Sequence, residues 1–491
     1  MQNSVEDSVA ARFEEIATTY PDHPAIILQD TEYSFSKLLA LAISFTVKYT
    51  QSGIDANSTI QTESSDLPIV LASLLAASSL GARFAEGAIN IELAGLYPIT
   101  HRIAVELPLN PIAGEQSLLI DSTWSPAEVL RGNPEPHLRS QQVDIDAPWL
   151  LLATSGTTGI PKVVGLSQRI VLRRSLAVKD EFRSGETRFS SLFPYDCRPF
   201  FARAMGALLN GAAIVDRGGW DFWVQNGVNR VAGSLKQVKA LGLRGKSASK
   251  IAVVEVSGAK IADHDALDLL QHFDLVDDTY GATETSKSFS NFLTLSPNNE
   301  LRKQGFPRDS LVDIVDQDGN VLGSTQTGEV RVRNSYCAEI YIFNATSRME
   351  ILTGDYFYPG DIAHFTKDGV LEILGRKDKS LLNFDGVKMN AGIIDALLTS
   401  VEGILGAAAF QSPKAGKNEV IAFAEIAAGT NRLQVLELAR KACTDALGAK
   451  LAPMRIWPID TIPRRRDGSP DREKCADLIV EALEKMNRTD D

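Results

Sequence analysis

The sequence predicts an α/β fold: a large layered N-terminal domain with a β-rich subdomain, followed by a small α+β C-terminal domain. Three observations carry that expectation. Helical and strand-like patterns alternate through more than half of the chain. From about Val312 the pattern shifts to a two-residue alternation around Asp-Gly and Gly turns. A charged run, GRKDKS from Gly375 to Ser380, then separates this stretch from a compact tail. A 3.6-residue apolar period builds one face of a helix, and a two-residue period builds a half-buried strand. At 491 residues the chain exceeds one ordinary hydrophobic core, so several domains are expected.

Taken in order, VAARFEEIATTY (from Val9) and FSKLLALAISFTVKYT (from Phe35) carry helical periods, with the short apolar run AIILQ between them. PIVLASLLAASSLGA, from Pro68, is the longest apolar stretch. It is short and broken by serines, so it reads as a buried helix rather than a membrane span. RIVLRRSLAVKDEF from Arg169 and FARAMGALLNG from Phe201 read as helices, and RFSSLFP and AAIVD as strands. IAVVEVSG and DLVDDTYGATE each run as a strand into a glycine-containing turn. In such sheets, ligands gather at the carboxyl ends of strands. LVDIVDQDGNVLG and TGEVRVRNS read as hairpins, and the tail alternates again through GIIDALLTSV, EVIAFAEIA, LQVLELARKACTDAL and RIWPID.

A formal charge of −12 speaks against nucleic acid as a partner. The basic runs Arg169–Arg174 and Arg464–Arg466 read as solvated faces. Four cysteines lie far apart, without the paired spacing of a zinc site, which fits a reducing compartment. The polar, acidic start MQNSVEDSVA is no signal peptide. Together these give the expectation of a soluble cytoplasmic protein.

Chemistry concentrates in four short segments. TSGTTGIPK, Thr154–Lys162, combines hydroxyls, two glycines and a terminal cation after the apolar strand WLLLA. Hydroxyl donors, close backbone approach and one positive charge suit a polyphosphate, although the spacing is not that of a Walker loop. YGATET, Tyr280–Thr285, carries Glu284, a carboxylate suited to magnesium bound beside substrate phosphates. PGD, Pro359–Asp361, offers a carboxylate that can accept both hydroxyls of a ribose. GRKD, Gly375–Asp378, adds Arg376 for sugar or phosphate oxygens. In this order the four point to ATP.

On these segments, and on TGEVRV and GRKDKSLLNFDGVKMN, the chain resembles the adenylate-forming superfamily of acyl- and aryl-CoA synthetases, luciferases and peptide-synthetase adenylation domains. The resemblance runs nearly the full length. It implies a large domain, residues 1–376, binding ATP, Mg2+ and a carboxylic acid, and a small mobile lid domain, residues 377–491, hinged near Asp378. The implied reaction makes an acyl-adenylate and passes the acyl group to the thiol of CoA or of a carrier-protein phosphopantetheine; a non-catalytic nucleotide- or adenylate-binding relative and an amide-forming ligase with an amine acceptor are the alternatives. By the same resemblance Thr154, Ser155, Gly156, Thr157, Thr158, Gly159 and Lys162 cradle the β- and γ-phosphates. Thr283 meets the α-phosphate and Glu284 holds magnesium. Ser257, Gly258 and Ala259 border the adenine and acyl pockets, with Tyr280 and Gly281 beside the base. Asp361 and Arg376 hold the ribose, and Gly386 admits pantetheine.

The resemblance breaks in the tail. IPRRRDGSPDREK places Ser469 where family members carry the lysine that stabilises adenylation. Three readings stay open: substitution by Arg464, Arg465, Arg466 or Arg472, substitution by Lys474 from a shifted register, or weakened or lost adenylation. Arg466 is the substitute named among the catalytic residues. In the acid pocket Arg198 falls near the position where amino-acid-activating relatives carry an aspartate. An arginine there disfavours an ammonium and suits a hydroxyl or second carboxylate, while a two-residue slip brings Asp196 to the same place. Phe193, Tyr195, Phe200 and Phe201 add aromatic surface, read either as pocket wall or as core.

Overall fold

The computed structural model describes residues 7–87, 89, 97–106, 114–129, 137–138, 143–154, 162–245, 247–258, 261–316, 318–338, 340–342, 348–350, 352–376, 381–384, 387–412, 419–464 and 470–489. They form two compact units. The larger comprises Met1–Thr154, Lys162–Pro359 and Ala363–Ile373, and the smaller consists chiefly of Leu374–Asp491.

Two mostly parallel sheets build the larger unit. One has nine strands in the order Leu301–Pro307, Ser286–Leu295, Phe273–Ala282, Ile251–Ser257, Arg230–Gly233, Arg188–Ser191, Ala213–Val215, Pro24–Ile27 and Glu32–Ser34. The six from Phe273–Ala282 to Pro24–Ile27 pair in parallel, and antiparallel strands close both edges. The other sheet has eight strands, with Pro148–Thr154, Arg83–Ala85, Thr59–Glu63, His101–Ala104 and Gln116–Leu119 parallel in that order. Parallel strands need crossover helices, which cover the sheet faces, and central strands such as Pro148–Thr154 are correspondingly apolar, while the edge strand Gln116–Leu119 is largely exposed.

The helix Leu67–Leu80 shows how sequence sets an element. Asp66 caps it by accepting from the Ile69 amide, Pro68 pre-sets its first turn, and Gly81 ends it at φ +69°. Nearly every side chain between is buried, so its apolar character serves the core. No helix among the described residues is long and apolar enough to cross a membrane. One core joins Phe13 and Phe35 of the first two helices to Leu71 and Leu75, to Phe84 and Leu150 of one sheet, and to Phe189 and Ile214 of the other. A four-stranded sheet, Leu311–Val315, Gly328–Arg333, Asp361–Phe365 and Leu371–Arg376, forms the β-rich part. Its expected hairpin pairs Leu311–Val315 with Gly328–Arg333.

In the smaller unit the strands Ile404–Gln411, Val420–Ile426 and Arg455–Ile459 form one sheet. The helices Ala391–Thr399 and Arg432–Leu447 pack into its apolar cluster through Ile394, Leu398, Val435 and Ala439.

Candidate active site

The strand Pro148–Thr154 pairs antiparallel with Lys162–Ser167, and Thr154 stands opposite Lys162. Ser155–Pro161 and the Lys162 side chain lie outside the described residues. The neighbouring parallel strand Arg83–Ala85 ends at Glu86, which is buried. One carboxylate oxygen of Glu86 accepts from the Ala153 amide at 2.8 Å, beside the foot of the loop. The other accepts from the Arg198 amide at 2.9 Å, at the start of the helix Arg198–Leu208. Glu86 therefore ties the carboxyl ends of the two sheets together. Burial pushes its carboxyl above the usual range, and the two amides pull the other way. The next residue, Gly87, lines a cavity of about 250 Å³ with Arg102, Asp196 and Arg217.

The second arm of the site is the turn between the strands Phe273–Ala282 and Ser286–Leu295. Gly281 is required there: a Cβ would stand 2.0 Å from the Ser286 carbonyl oxygen. Thr283 and Glu284 sit at the tip and are each 8% exposed. Their backbone is pinned from several sides. Arg174 donates to the carbonyls of Thr283 (3.1 Å), Glu284 (2.7 Å) and Tyr336 (3.1 Å). The Ala338 amide also donates to the Glu284 carbonyl, and Asn334 donates to Thr285. Burial pushes the Arg174 guanidinium down to about 10.

This corrects the reading of Arg169–Arg174 as a solvated face, since Arg174 turns inward. The helix period carried the signal, because Arg174 stands four and three residues after the buried Ile170 and Val171. Glu86 was missed although it directly follows a parallel strand.

Arg203, on the helix Arg198–Leu208, joins the third arm. It donates to Glu255 Oε1 at 3.0 and 2.5 Å and approaches Ser257 Oγ at 3.4 Å. Ser257 ends its strand, and Gly258 follows at φ +92° with open space where a Cβ would stand. Arg198 lies within electrostatic reach of Arg203, Glu86 and Glu284, and of Arg174. The structure thus gathers Arg198, Ser257, Thr283 and Glu284 at carboxyl strand ends, as expected of such sheets.

Other expected residues are placed differently. Phe200 is fully buried and Tyr195 nearly so, with ring centroids 4.9 Å apart, and the Tyr195 hydroxyl donates to Asp216. Phe200 packs in the core, and Tyr195 packs beside it while also lining the cavity with Gly87. Tyr280 packs against the β-rich sheet's cluster. Asp361 opens the strand Asp361–Phe365 and is partly buried. Ala259, Asp378, Gly386, Arg465, Arg466, Ser469 and the Arg376 side chain lie outside the described residues. Of the cations considered as substitutes, Arg472 forms a two-pronged pair with Asp395, at 2.5 and 3.4 Å, and donates to the Ala409 carbonyl. Arg464 pairs with Glu425, and the exposed Lys474 with Asp471.

A trio of carboxylates, Glu181, Glu255 and Asp277, has the spacing of a metal site. The Lys287 ammonium already sits among them at 2.9, 3.3 and 2.7 Å. That trio is a buried ion-pair network, separate from Glu284.

A carboxylate, a guanidinium and a pinned acidic turn thus lie at the carboxyl strand ends of two mostly parallel sheets, where ligands gather in folds of the α/β class. The family model described as AMP-binding enzyme matches residues 13–342, and the chain belongs to that family. Among curated relatives, the oxalate–CoA ligase of Saccharomyces cerevisiae is 24% identical over 356 residues, 69% of this chain and 64% of that one. The 2-hydroxy-7-methoxy-5-methyl-1-naphthoate–CoA ligase of Streptomyces carzinostaticus is 28% identical over 181 residues, 36% of this chain and 30% of that one. The chain thus spans less than two thirds of these relatives' lengths. The o-succinylbenzoate CoA synthetase of Bacillus subtilis, solved with a product analogue, shares the fold with a TM-score of 0.78 at 16% identity, covering 95% of this chain and 98% of that one.

Proposed function

We propose that this protein activates a carboxylic acid with ATP as an acyl-adenylate, then transfers the acyl group to a thiol, that of CoA or of a carrier-protein phosphopantetheine. A carboxylate is a poor acyl donor because its oxygen leaves poorly. Attack of that oxygen on the α-phosphorus breaks the bond to pyrophosphate. Attack of the thiol on the acyl carbon then expels AMP, with loss of the thiol proton. Such phosphoryl chemistry depends on alignment and charge stabilisation more than on covalent help from the protein.

The residues present suit these groups. Gly258 leaves open space at a strand end, and Glu284 is an acidic group on a turn whose backbone Arg174 fixes. In this reading Glu284 holds Mg2+, which neutralises phosphate charge, and Thr283 meets the α-phosphate. Ser257, Gly258, Ala259, Tyr280 and Gly281 surround the base and acyl group. Asp361 and Arg376 hold the ribose, and Thr154–Gly159 with Lys162 hold the outer phosphates. The lid of residues 377–491, hinged at Asp378, Gly386 for the pantetheine arm, and a carrier protein as one acceptor belong to the same proposal. So does a cytoplasmic setting, which suits four free thiols. The named relatives' acids are a hydroxylated naphthoate and oxalate, so an aryl or acyl acid is favoured over an amino acid. The observation that carries the reading is the Glu86 junction, whose two oxygens hold the Ala153 and Arg198 amides, with Arg198 in electrostatic reach of Glu284.

The test is ATP- and magnesium-dependent pyrophosphate release across aryl, fatty and dicarboxylic acids, with CoA and with a holo carrier protein. Release with one class is expected, and Glu284→Ala and Lys162→Ala should each lower it by about 100-fold or more. Silence with every acid while ATP still binds would replace this reading with a non-catalytic binder.

A further inference from the structure

We propose that the acid taken by this site is a dicarboxylic acid whose second carboxylate is received by the guanidinium of Arg198. The inference rests on the adenylation reading and names its substrate class.

Of three arginines here, Arg198 lies within electrostatic reach of both Arg174 and Arg203. Two of them show what a structural arginine looks like. Arg174 directs its donors to three carbonyls, and Arg203 directs its donors to Glu255, the Pro199 carbonyl and Ser257. Arg198 differs. It is partly buried, and among the described residues its guanidinium forms no ion pair and donates no hydrogen bond, although its backbone amide is fixed by Glu86. A guanidinium in that setting lacks the partner that buried charge requires. Burial and neighbouring Arg203 both disfavour its charge, which Glu86 and Glu284 partly offset.

Those two carboxylates are committed elsewhere. Both oxygens of Glu86 accept backbone amides, and in the adenylation reading Glu284 faces a doubly charged cation. The guanidinium of Arg198 is thus left without an acceptor of its own among the described residues. The reacting carboxylate cannot supply one, because that group must face the α-phosphorus. A second carboxylate can, and its two oxygens match the planar guanidinium fork in a way a hydroxyl does not. The backbone of Arg198 is held at the first turn of its helix by Glu86, so its side chain starts from a fixed point while its guanidinium donors stay open to a ligand.

The experiment compares kcat/KM for matched acids of equal length, one dicarboxylic and one with a methyl in place of the second carboxylate, in aliphatic and aryl series. The wild type should prefer the dicarboxylic member by at least about 30-fold, the scale of one charged hydrogen-bonded contact. Arg198→Gln should collapse the ratio to within about threefold, mainly through KM, and Arg198→Lys should restore part of it. Preference for the monocarboxylic or a hydroxylated acid would overturn the proposal with the adenylation reading intact. A uniform loss on both acids in Arg198→Gln would do the same, marking the residue as structural. Direct calorimetric binding of each acid pair to the full chain with ATP and magnesium provides a readout independent of turnover. If no acid releases pyrophosphate, the adenylation reading falls, and equal binding of the two acids overturns this proposal as well.

Discussion

Arg174 and Glu86 act at the scale of single side chains, and each does so by holding backbone rather than substrate. Arg174 spans three carbonyls that no lysine can reach together, because an ammonium is a point and a guanidinium is a fork. Its guanidinium, pushed down to about 10, stays protonated at neutral pH. Arg174→Lys should therefore leave the turn of Thr283 and Glu284 under-supported. The expected result is a rise of about tenfold or more in the magnesium concentration needed for half-maximal pyrophosphate release, with a smaller loss in maximal rate. An unchanged magnesium dependence would mean the turn holds itself. Neither residue was legible as functional, for different reasons. Glu86 stands in GARFAEG with nothing around it to mark a carboxylate that binds amides 67 and 112 residues away. Arg174 was hidden in a basic run whose usual fate is solvent, although the helix period placed it on the buried face.

At the scale of elements, parallel strands written as apolar runs, such as IAVVEVS, were readable because both their faces are covered, whereas the polar Thr59–Glu63 and Gln116–Leu119 were not. Nor were the antiparallel partners Ser286–Leu295 and Leu301–Pro307. SKSFSNFLTL is rich in serine, its burial does not alternate, and the sheet supplies the pairing that local propensity does not. These same strands hold the buried ions. Burial alone would raise the Glu255 carboxyl, but Arg203, Lys287 and Arg230 hold it far below its usual range. Burial would lower Lys287, and Asp277, Glu255 and Glu181 raise it above the usual lysine range.

The signs follow. The contribution of Glu255 is present above the unfolded carboxylate value of about 4.3 and is lost as pH falls through its depressed folded value. That of Lys287 is present below about 10.4 and is lost as pH rises through its raised folded value. Denaturant unfolding of the larger unit should thus show a broad stability plateau between these limits. Lys287→Met, which removes the ammonium shared by three carboxylates and leaves them to Arg203, Arg230 and Arg308, should cost about 3–5 kcal/mol. A cost under about 1 kcal/mol would mean that water or rearranged arginines replace the ammonium.

Across the whole molecule, stability and chemistry divide differently among the basic residues of the tail. Sequence placed Arg464, Arg465, Arg466, Arg472 and Lys474 on one footing as substitutes for the lysine absent at Ser469, because spacing alone cannot say which guanidinium is already engaged. The structure separates Arg472 from the others: it is nearly buried, paired with Asp395, and bonded to the Ala409 carbonyl, while the Ala409 amide donates to Asp395 at 2.6 Å. This closed ring joins the helix that starts at Arg472 to the helix Ala391–Thr399 and the strand Ile404–Gln411 within the smaller unit. Arg472→Ala should accordingly destabilise that unit by about 3 kcal/mol or more, because Asp395 is left buried without its cation. Arg466→Ala should lower pyrophosphate release by about 100-fold while the unfolding curve stays put, since a cation facing phosphoryl oxygens contributes to the transition state and little to the fold. Ser469→Lys should leave release equal or raise it. The discriminating result is the pair of measurements on each variant: a loss of pyrophosphate release in Arg472→Ala at temperatures where the protein remains folded, with Arg466→Ala unaffected, would assign the missing charge to Arg472 and require its pair with Asp395 to open during the reaction.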